Sequence, residues 1–327
     1  MARLRIATFN LESLDEQSAA PLSERIAVLR PQLSRLEADV LCLQEINARP
    51  GSGPDGPRPA ALDRLLEETV YCGFNRALGS LPGHGGPSER HNLALLSRWP
   101  IAAVSQLHHE LVPPFSYRPL TAAPPAKEAL ALSWDRPILS ALIELPGGRS
   151  LRVLNLHLKA PLAVAIPGQK LSAAAWRTVG GWAEGFFLAA MKRAGQALEA
   201  RLLLERLFDA EPQALIAVCG DFNAEARETP VRVLVGDEGE AAPHGEPGRR
   251  LVPLEESIPE AERYSVLHMG RRLMLDHLLV SEALAAWPHR LELHNEGLRD
   301  EALDPLAAQP SLGSYHAPLL AEFEMPE

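Results

Sequence analysis

The chain has 327 residues, 46% of them apolar and 23% charged, with a formal net charge of −10. That balance fits a soluble globular core and argues against a protein that coats nucleic acid, which needs a Lys/Arg surface to neutralise phosphate. No run approaches the roughly 18 apolar residues of a membrane span, and Cys42, Cys72 and Cys219, an odd number without CxxC spacing, do not fit a disulfide framework or a zinc site.

The segment RLRIATF (3–9) reads as a first strand. Leu22, Ile26, Leu29, Leu33 and Leu36 have helical spacing, and Pro31 is expected to kink or split that helix. DVLCLQEI (39–46) is apolar on both faces, as in a central strand. A Gly/Pro loop over 47–60, a short helix over 60–69 and a third strand over 91–101 follow, and then a Pro-rich irregular stretch over 105–135. RPILSALIEL (136–145) and RSLRVLNLHLK (149–159) flank Pro146-Gly147-Gly148 and predict a hairpin. Residues 160–181 form an insertion, a long helix is expected over about 182–208, and ALIAVC (214–219) is another strand. After a Gly/Pro/acidic loop over 236–250, closing strands are expected at 271–281, 288–294 and 315–323. No repeat and no shift in composition marks a boundary, so residues 1–327 read as one α/β domain on two packed sheets.

Polar residues recur where apolar strands end: Asn10, Gln44-Glu45, and Asp221 and Asn223 after AVCG. In LRVLNLHLK the two-residue period puts Val153, Asn155, His157 and Lys159 on one face, which turns from apolar to polar as if entering a cleft. Asp276, within LMLDHLLV, is expected to be buried and to need a partner or a metal, and His316 is a candidate partner. Taken singly, Asp221 and Asn223 could cap a turn, Glu45 could be a solvated loop residue and His157 a sheet histidine. Taken together, carboxylates, amides and imidazoles with few charges suit Mg²⁺ or Mn²⁺ beside a phosphate. No thiolate cluster or HExxH suggests zinc.

The ordered blocks TFNL (8–11), LQEI (43–46), NLHL (155–158), GDFNA (220–224), LDHLLVS (275–281) and SYHAPL (314–319) resemble the signature of the endonuclease/exonuclease/phosphatase superfamily across nearly the whole chain. The resemblance implies a four-layer α-β-β-α sandwich with two mixed sheets face to face and a site at one end. It implies Glu45 as principal metal ligand, with Asn10 beside it as ligand or orienting group. Asp221 would act on the attacking water and Asn223 would hold water or phosphate. Asn155 and His157 match a motif whose histidine would contact the phosphoryl group, with Asn155 either a member of the site or mainly a support for it through backbone hydrogen bonds, and Asp276 would orient His316. The usual Ser-Asp-His ending is Ser314-Tyr315-His316 here, and His277, where Tyr is often found, is expected to be structural. The activity implied is divalent-metal-dependent phosphoester hydrolysis by in-line water attack. A small or lipid-like diester is favoured over nucleic acid because of the acidic charge, and the alternative from another class is a binding module that keeps the fold.

Arg136, Arg193 and Gln196 are expected mainly in ion pairs or packing, and His91-Asn92 sits where it could face the cleft. In 161–191, the spacing of Trp182, Phe186 and Ala189 reads as core packing; the sharper reading of the aromatic cluster, with Trp176 and Phe187, is a substrate lid or apolar recognition surface hinged at Gly180-Gly181. The start lacks the apolar core of a secretory signal, which with free thiols leads to the expectation of a cytoplasmic protein.

Overall fold

The computed structural model describes residues 2–50, 57–80, 86–173, 175–236, 248–303 and 311–326. The cores of the loops expected over 47–60 and 236–250 lie outside the described residues. In chain order the main strands are β1 (Arg3–Leu14), β2 (Val40–Ile46), β3 (Asn75–Leu78), β4 (Asn92–Ser97), β5 (Ile101–Leu107), β6 (Ile138–Leu145), β7 (Arg149–His157), β8 (Leu215–Asp221), β9 (Leu251–Pro253), β10 (Asp276–Ser281), β11 (His289–Leu293) and β12 (Leu319–Glu324). They form two six-stranded sheets, ordered β11-β12-β1-β2-β4-β3 and β9-β10-β8-β7-β6-β5. Both sheets are mixed: β1 runs parallel to β2 and β7 parallel to β8, while their other pairings are antiparallel.

The two-residue period of each strand decides what covers it. Ile6, Val40 and Cys42 from the first sheet meet Val153, Ala217, Cys219 and Leu278 from the second in an apolar layer between them. The opposite face of the first sheet, with Phe9, Leu41 and Leu43, packs on α1 (Leu22–Leu36) and α2 (Ala60–Leu66). The opposite face of the second, with Leu154, Leu156 and Val218, packs on α3 (Val179–Ala210) and α4 (Thr229–Val235). The result is the expected four-layer α-β-β-α sandwich.

Several boundaries differ from the sequence reading for local reasons. Helix α1 runs unbroken through Pro31. A proline inside a helix costs about 3 kcal/mol, but Leu29, Leu33 and Leu36 are fully buried around it and each contributes roughly 1.5–3 kcal/mol. The strand expected over 91–101 is two strands, β4 and β5, on opposite sheets. The chain turns between them at Arg98–Pro100, where Trp99 donates its N–H to Ser97 Oγ and Pro100 has none to give. The 271–281 segment divides into a hairpin strand, Arg271–Leu273 paired with Val266–His268, and β10. Strand β12 begins only at Leu319, so His316 lies before it in a loop bridged to Val266. Helix α3 starts at Val179 rather than about 182.

Candidate active site

The strands deliver the polar residues to one end of the sandwich by register. In the second sheet His157 is the partner of Asp221, and Asp221 is in turn the partner of Asp276, so β7, β8 and β10 set three ionisable groups side by side. In the first sheet Asn10 on β1 lies opposite Gln44 on β2, with Glu45 next along. The two sheets face each other, and Asn10 closes the gap: its Nδ2 donates to Asp221 Oδ2 at 3.0 Å and to Glu45 Oε1 at 3.4 Å.

Glu45 is held from one side. Its Oε2 accepts the Ser13 N–H at 2.9 Å and the Ser13 hydroxyl at 3.2 Å, with His91 Nδ1 at 3.5 Å. Its Oε1 has only the long Asn10 bond and His157 Nε2 at 3.7 Å. Asp221 is buried; its Oδ1 accepts the Asn223 N–H at 2.9 Å, and its Oδ2 receives the Asn223 amide at 3.1 Å with His157 Nε2 at 3.4 Å. Asp276 is fully buried, and its Oδ2 is 2.8 Å from His316 Nδ1 while Oδ1 has no partner. His316 Nε2 then lies 4.0 Å from Asp221.

Strain gathers here. Glu12, Ser13, Glu45, His91 and Asn223 all have φ between 49° and 60°, a region costing non-glycine residues on the order of 1–2 kcal/mol. These five are more than half of the nine such residues in the described chain. The β1–β2 register breaks at the same place, between Asn10 and Leu14. Arg25 ties the bulge down through its guanidinium, donating to the carbonyls of Leu11 at 2.7 Å and Ser13 at 3.2 Å.

The electrostatics separate the groups by role. Burial pushes the Glu45 carboxyl up, but the His91, His157 and His316 neighbours outweigh it and hold it well below the usual range, as a carboxylate. Burial raises Asp221, and the Asp276 and Glu45 charges add to it against the opposing pull of His316. Burial alone would lower His316, but Asp276 and Asp221 lift it to about 10, so it carries a proton at neutral pH. Burial and the Arg136 charge push His157 well below the ordinary histidine value, leaving it neutral.

Seven of the eight residues singled out from the sequence therefore meet: Asn10, Glu45, His157, Asp221, Asn223, Asp276 and His316. Asn155 does not. It is fully buried one step behind His157, donating to the carbonyls of Leu43 (3.1 Å) and Ala94 (2.9 Å) and accepting from Gln44 Nε2 at 2.8 Å. It ties the two sheets together and presents nothing to the cleft. Asn10, as oriented, turns its NH₂ to the carboxylates, and its Oδ1 accepts the Glu12 N–H at 2.9 Å; it fits the orienting role better than that of ligand. His91 joins the site, whereas Asn92 is bonded to Ser88 and the Ile46 carbonyl. His277 is buried away from the cleft, stacked on Phe222 and 2.5 Å from Glu255. Arg193 and Gln196 donate to the Lys159 and Arg136 carbonyls. Sequence reading missed Ser13, which fixes Glu45, and Glu12, whose Oε2 accepts the Tyr315 N–H at 2.7 Å; nothing in their spacing marks them.

The donor set fits a hard divalent cation. Glu45 keeps an oxygen with little else to bind, and Asp276 has an orphaned buried oxygen. Asp221, Asp276 and His316 also bring ligand atoms within 4.8 Å of one another. Within that trio, however, Asp276 and His316 already bond each other, which leaves Glu45 as the better anchor.

The sequence profile of the endonuclease/exonuclease/phosphatase family matches residues 7–316. The chain belongs to that family. Membership supports phosphoester hydrolysis. No curated protein sequence matches the chain. Among solved structures, it is similar to truncated TDP2 from Caenorhabditis elegans, at 15% identity and TM-score 0.56, over 99% of this chain and 98% of that one. It is also similar to a variant of the Neisseria 3′ phosphatase NExo bound to product DNA hairpin, at 18% identity and TM-score 0.54, over 98% and 100% of the chains. An AP endonuclease from Archaeoglobus fulgidus aligns at 17% identity and TM-score 0.53, over 98% and 100%. These likenesses carry the fold. No helix among the described residues is long and apolar enough to cross a membrane.

Proposed function

We propose that this member of the family is a Mg²⁺- or Mn²⁺-dependent phosphodiesterase that directs water in line onto phosphorus, with a small or lipid-like phosphodiester as substrate. The observation that carries the reading is the meeting of Glu45 and Asn10 from one sheet with Asp221, Asn223, His157 and the Asp276–His316 pair from the other. Glu45, with its carboxylate charge and an Oε1 that takes only a long bond from Asn10, would hold the cation, which would supply positive charge against the phosphoryl oxygens. Asn10 spaces Glu45 from Asp221 and keeps both oriented. Asp221, raised by burial toward the pH at which it can both lose and accept a proton, takes the proton of the attacking water. Asn223 fixes that carboxylate by two bonds, so the base is aimed before substrate arrives. Protonated His316, backed by Asp276, presents Nε2–H to a phosphoryl oxygen as charge grows there, and neutral His157 offers a second donor. No covalent intermediate is needed.

The substrate class rests on charge. The chain is acidic overall, and Lys159 and Lys192 near the rim are both paired to Asp135, at 2.9 and 2.8 Å. A second reading is a nuclease, favoured by structural relatives solved with DNA, among them D. rerio TDP2 complexed with single strand DNA product and the Neisseria enzyme. Hydrolysis of mono- and bis-(nitrophenyl) phosphate with Mg²⁺, Mn²⁺ or chelator, run beside plasmid nicking, tests both. Diester turnover that needs metal, without nicking, is expected. Nicking lost in Asp221→Asn would establish the nuclease instead, and no turnover of any ester by the folded protein would leave only a binding module.

A further inference from the structure

The spacing of Trp182, Phe186 and Ala189 reads as core packing, with a lid or an apolar recognition surface as the sharper reading; the structure leaves the aromatic side chains at the surface. Trp182 and Phe186 are stacked on each other with ring centroids 5.3 Å apart, and both are exposed, at 44% and 38%. Ala189 alone of that triplet is buried. Val179, Phe187, Leu120 and Leu162 stand open around them. Eight of the fourteen large apolar side chains exposed in the described chain belong to this one region, far more than scattered surface residues require.

The region is a knob held together by close backbone contacts and hydrogen bonds. Gly180 and Gly181 lie in the first turn of α3, where Gly181 N–H is capped by Thr178 Oγ1 at 2.9 Å and a Cβ would strike the Gln169 side chain. Gly185 lets the 160–168 loop approach until a Cβ would sit 2.3 Å from the Val164 carbonyl. Buried Glu184 accepts from the Tyr117 hydroxyl at 3.0 Å and the Thr121 N–H at 2.9 Å, joining the 117–121 loop to the helix. A small separate core of Ala122, Leu132, Ile166 and Leu188 sits beneath.

Its placement follows from the helix. Ala197, Ala200, Leu204 and Phe208 pack on the second sheet, and Arg193 bonds the Lys159 carbonyl just past the end of β7. The helix therefore overshoots the strands at the end where the site lies, by 14 residues or about 21 Å to Val179. Charge there is opposite to that of the whole protein. Segments 113–136 and 158–193 hold eight Lys/Arg against three Asp/Glu in a chain of net charge −10. Of the three acids, Glu184 is buried and Asp135 is paired. Arg118, Lys127, Lys170 and Arg177 are exposed; the exposed acids are Glu128 and Asp135, the latter paired to Lys159 and Lys192.

We propose that this knob is a docking face for an anionic lipid bilayer, its aromatic and aliphatic centre entering the headgroup boundary and its cations meeting lipid phosphates. An apolar centre in which exposed Leu120, Leu162 and Val179 surround the aromatic rings matches a bilayer interface better than a nucleic acid, whose bases stack on aromatic faces and gain little from aliphatic ones. Docking would bring the catalytic end to the membrane surface; that consequence rests on the phosphodiesterase reading, but docking itself does not.

The test is sedimentation of the full chain with phosphatidylcholine vesicles, with and without about 30 mol% phosphatidylglycerol. The account expects strong binding to the anionic vesicles, a blue shift of tryptophan fluorescence, and weakening by salt. The triple variant Trp182→Ser/Phe186→Ser/Phe187→Ser should lose about tenfold or more in partitioning. Its circular dichroism and its turnover of a soluble diester dye should match the parent. Arg118→Ala/Arg177→Ala should weaken binding to anionic vesicles only. Asp221→Asn should still bind, so loss of hydrolysis alone leaves docking intact. Equal sedimentation of parent and triple variant, or no binding to either vesicle, overturns the proposal. So does a dimer in light scattering, or binding to single-stranded DNA, that the same triple variant abolishes while vesicle binding is absent.

Discussion

Replacing Asn155 with Ala separates a structural tie from a catalytic group. The side chain makes three hydrogen bonds across the sheet interface, to Leu43, Ala94 and Gln44, with no exposure. Each such bond is worth about 1 kcal/mol net, and removing one partner leaves buried groups unsatisfied. The loss should total about 3–4 kcal/mol, lowering the melting temperature by roughly 4–6 °C for a chain of 327 residues. Gln44 keeps its bond to Thr8 at 3.0 Å, and Glu45 keeps Ser13, so the site should survive. Thermal unfolding by circular dichroism, paired with diester turnover well below the transition, reads both quantities. The expected outcome is a markedly less stable protein with turnover within a few-fold of the parent. A melting temperature unchanged within error together with abolished turnover would refute this reasoning and return Asn155 to the chemistry.

Glu45→Gln and Asp221→Asn should each lower turnover by about 10²–10⁴-fold with little change in melting temperature, and excess chelator should do the same to the parent; steady-state kinetics with added Mn²⁺ check this. Asp276→Asn removes the charge that keeps His316 protonated. Its pKa should fall from about 10 toward the ordinary value of about 6.5, so the variant's rate should drop as pH rises through neutrality while the parent's does not. Asp135 supplies a stability test. Burial raises its carboxyl, but Lys192 and Lys159 lower it further, to about 2. The group's contribution is therefore complete above its unfolded pKa and is lost as pH falls through the folded one. With the side chain about a third exposed, Asp135→Asn should cost about 1 kcal/mol at pH 6 and progressively less below about pH 4. A difference that grows on acidification would contradict the bridges.

Much of this site can be read along the chain because strand ends carry it. A strand that is apolar until near its end and then shows Asp, Asn or Glu marks where the sheet meets water: β8 ends on Asp221, and β2 carries Gln44 and Glu45 just before its final Ile46. The two-residue period of β7 put Asn155 and His157 on one face, correctly. Period does not give depth, however, and one of the pair is wholly inside while the other reaches the cleft. The same limit applies to Trp182 and Phe186, whose helical spacing shows that they share a face but not what covers it. His91, at the start of a strand, was legible as a candidate for the cleft, whereas Ser13 and Glu12 reach the site through a backbone bulge and left-handed conformations that no periodic pattern encodes. Chain-crossing points such as Arg98–Pro100 look like strand in the sequence because apolar residues flank them on both sides, although those residues serve opposite sheets.

The central claim is that side chains from both sheets meet at one divalent cation. Anomalous diffraction from crystals soaked in Mn²⁺ addresses it directly. The account predicts one strong peak about 2.0–2.3 Å from a Glu45 carboxylate oxygen, on the side facing Asp221, absent in Glu45→Gln. No peak in this cleft at Mn²⁺ concentrations that support turnover, or a peak away from Glu45 that Glu45→Gln leaves unchanged, would contradict it.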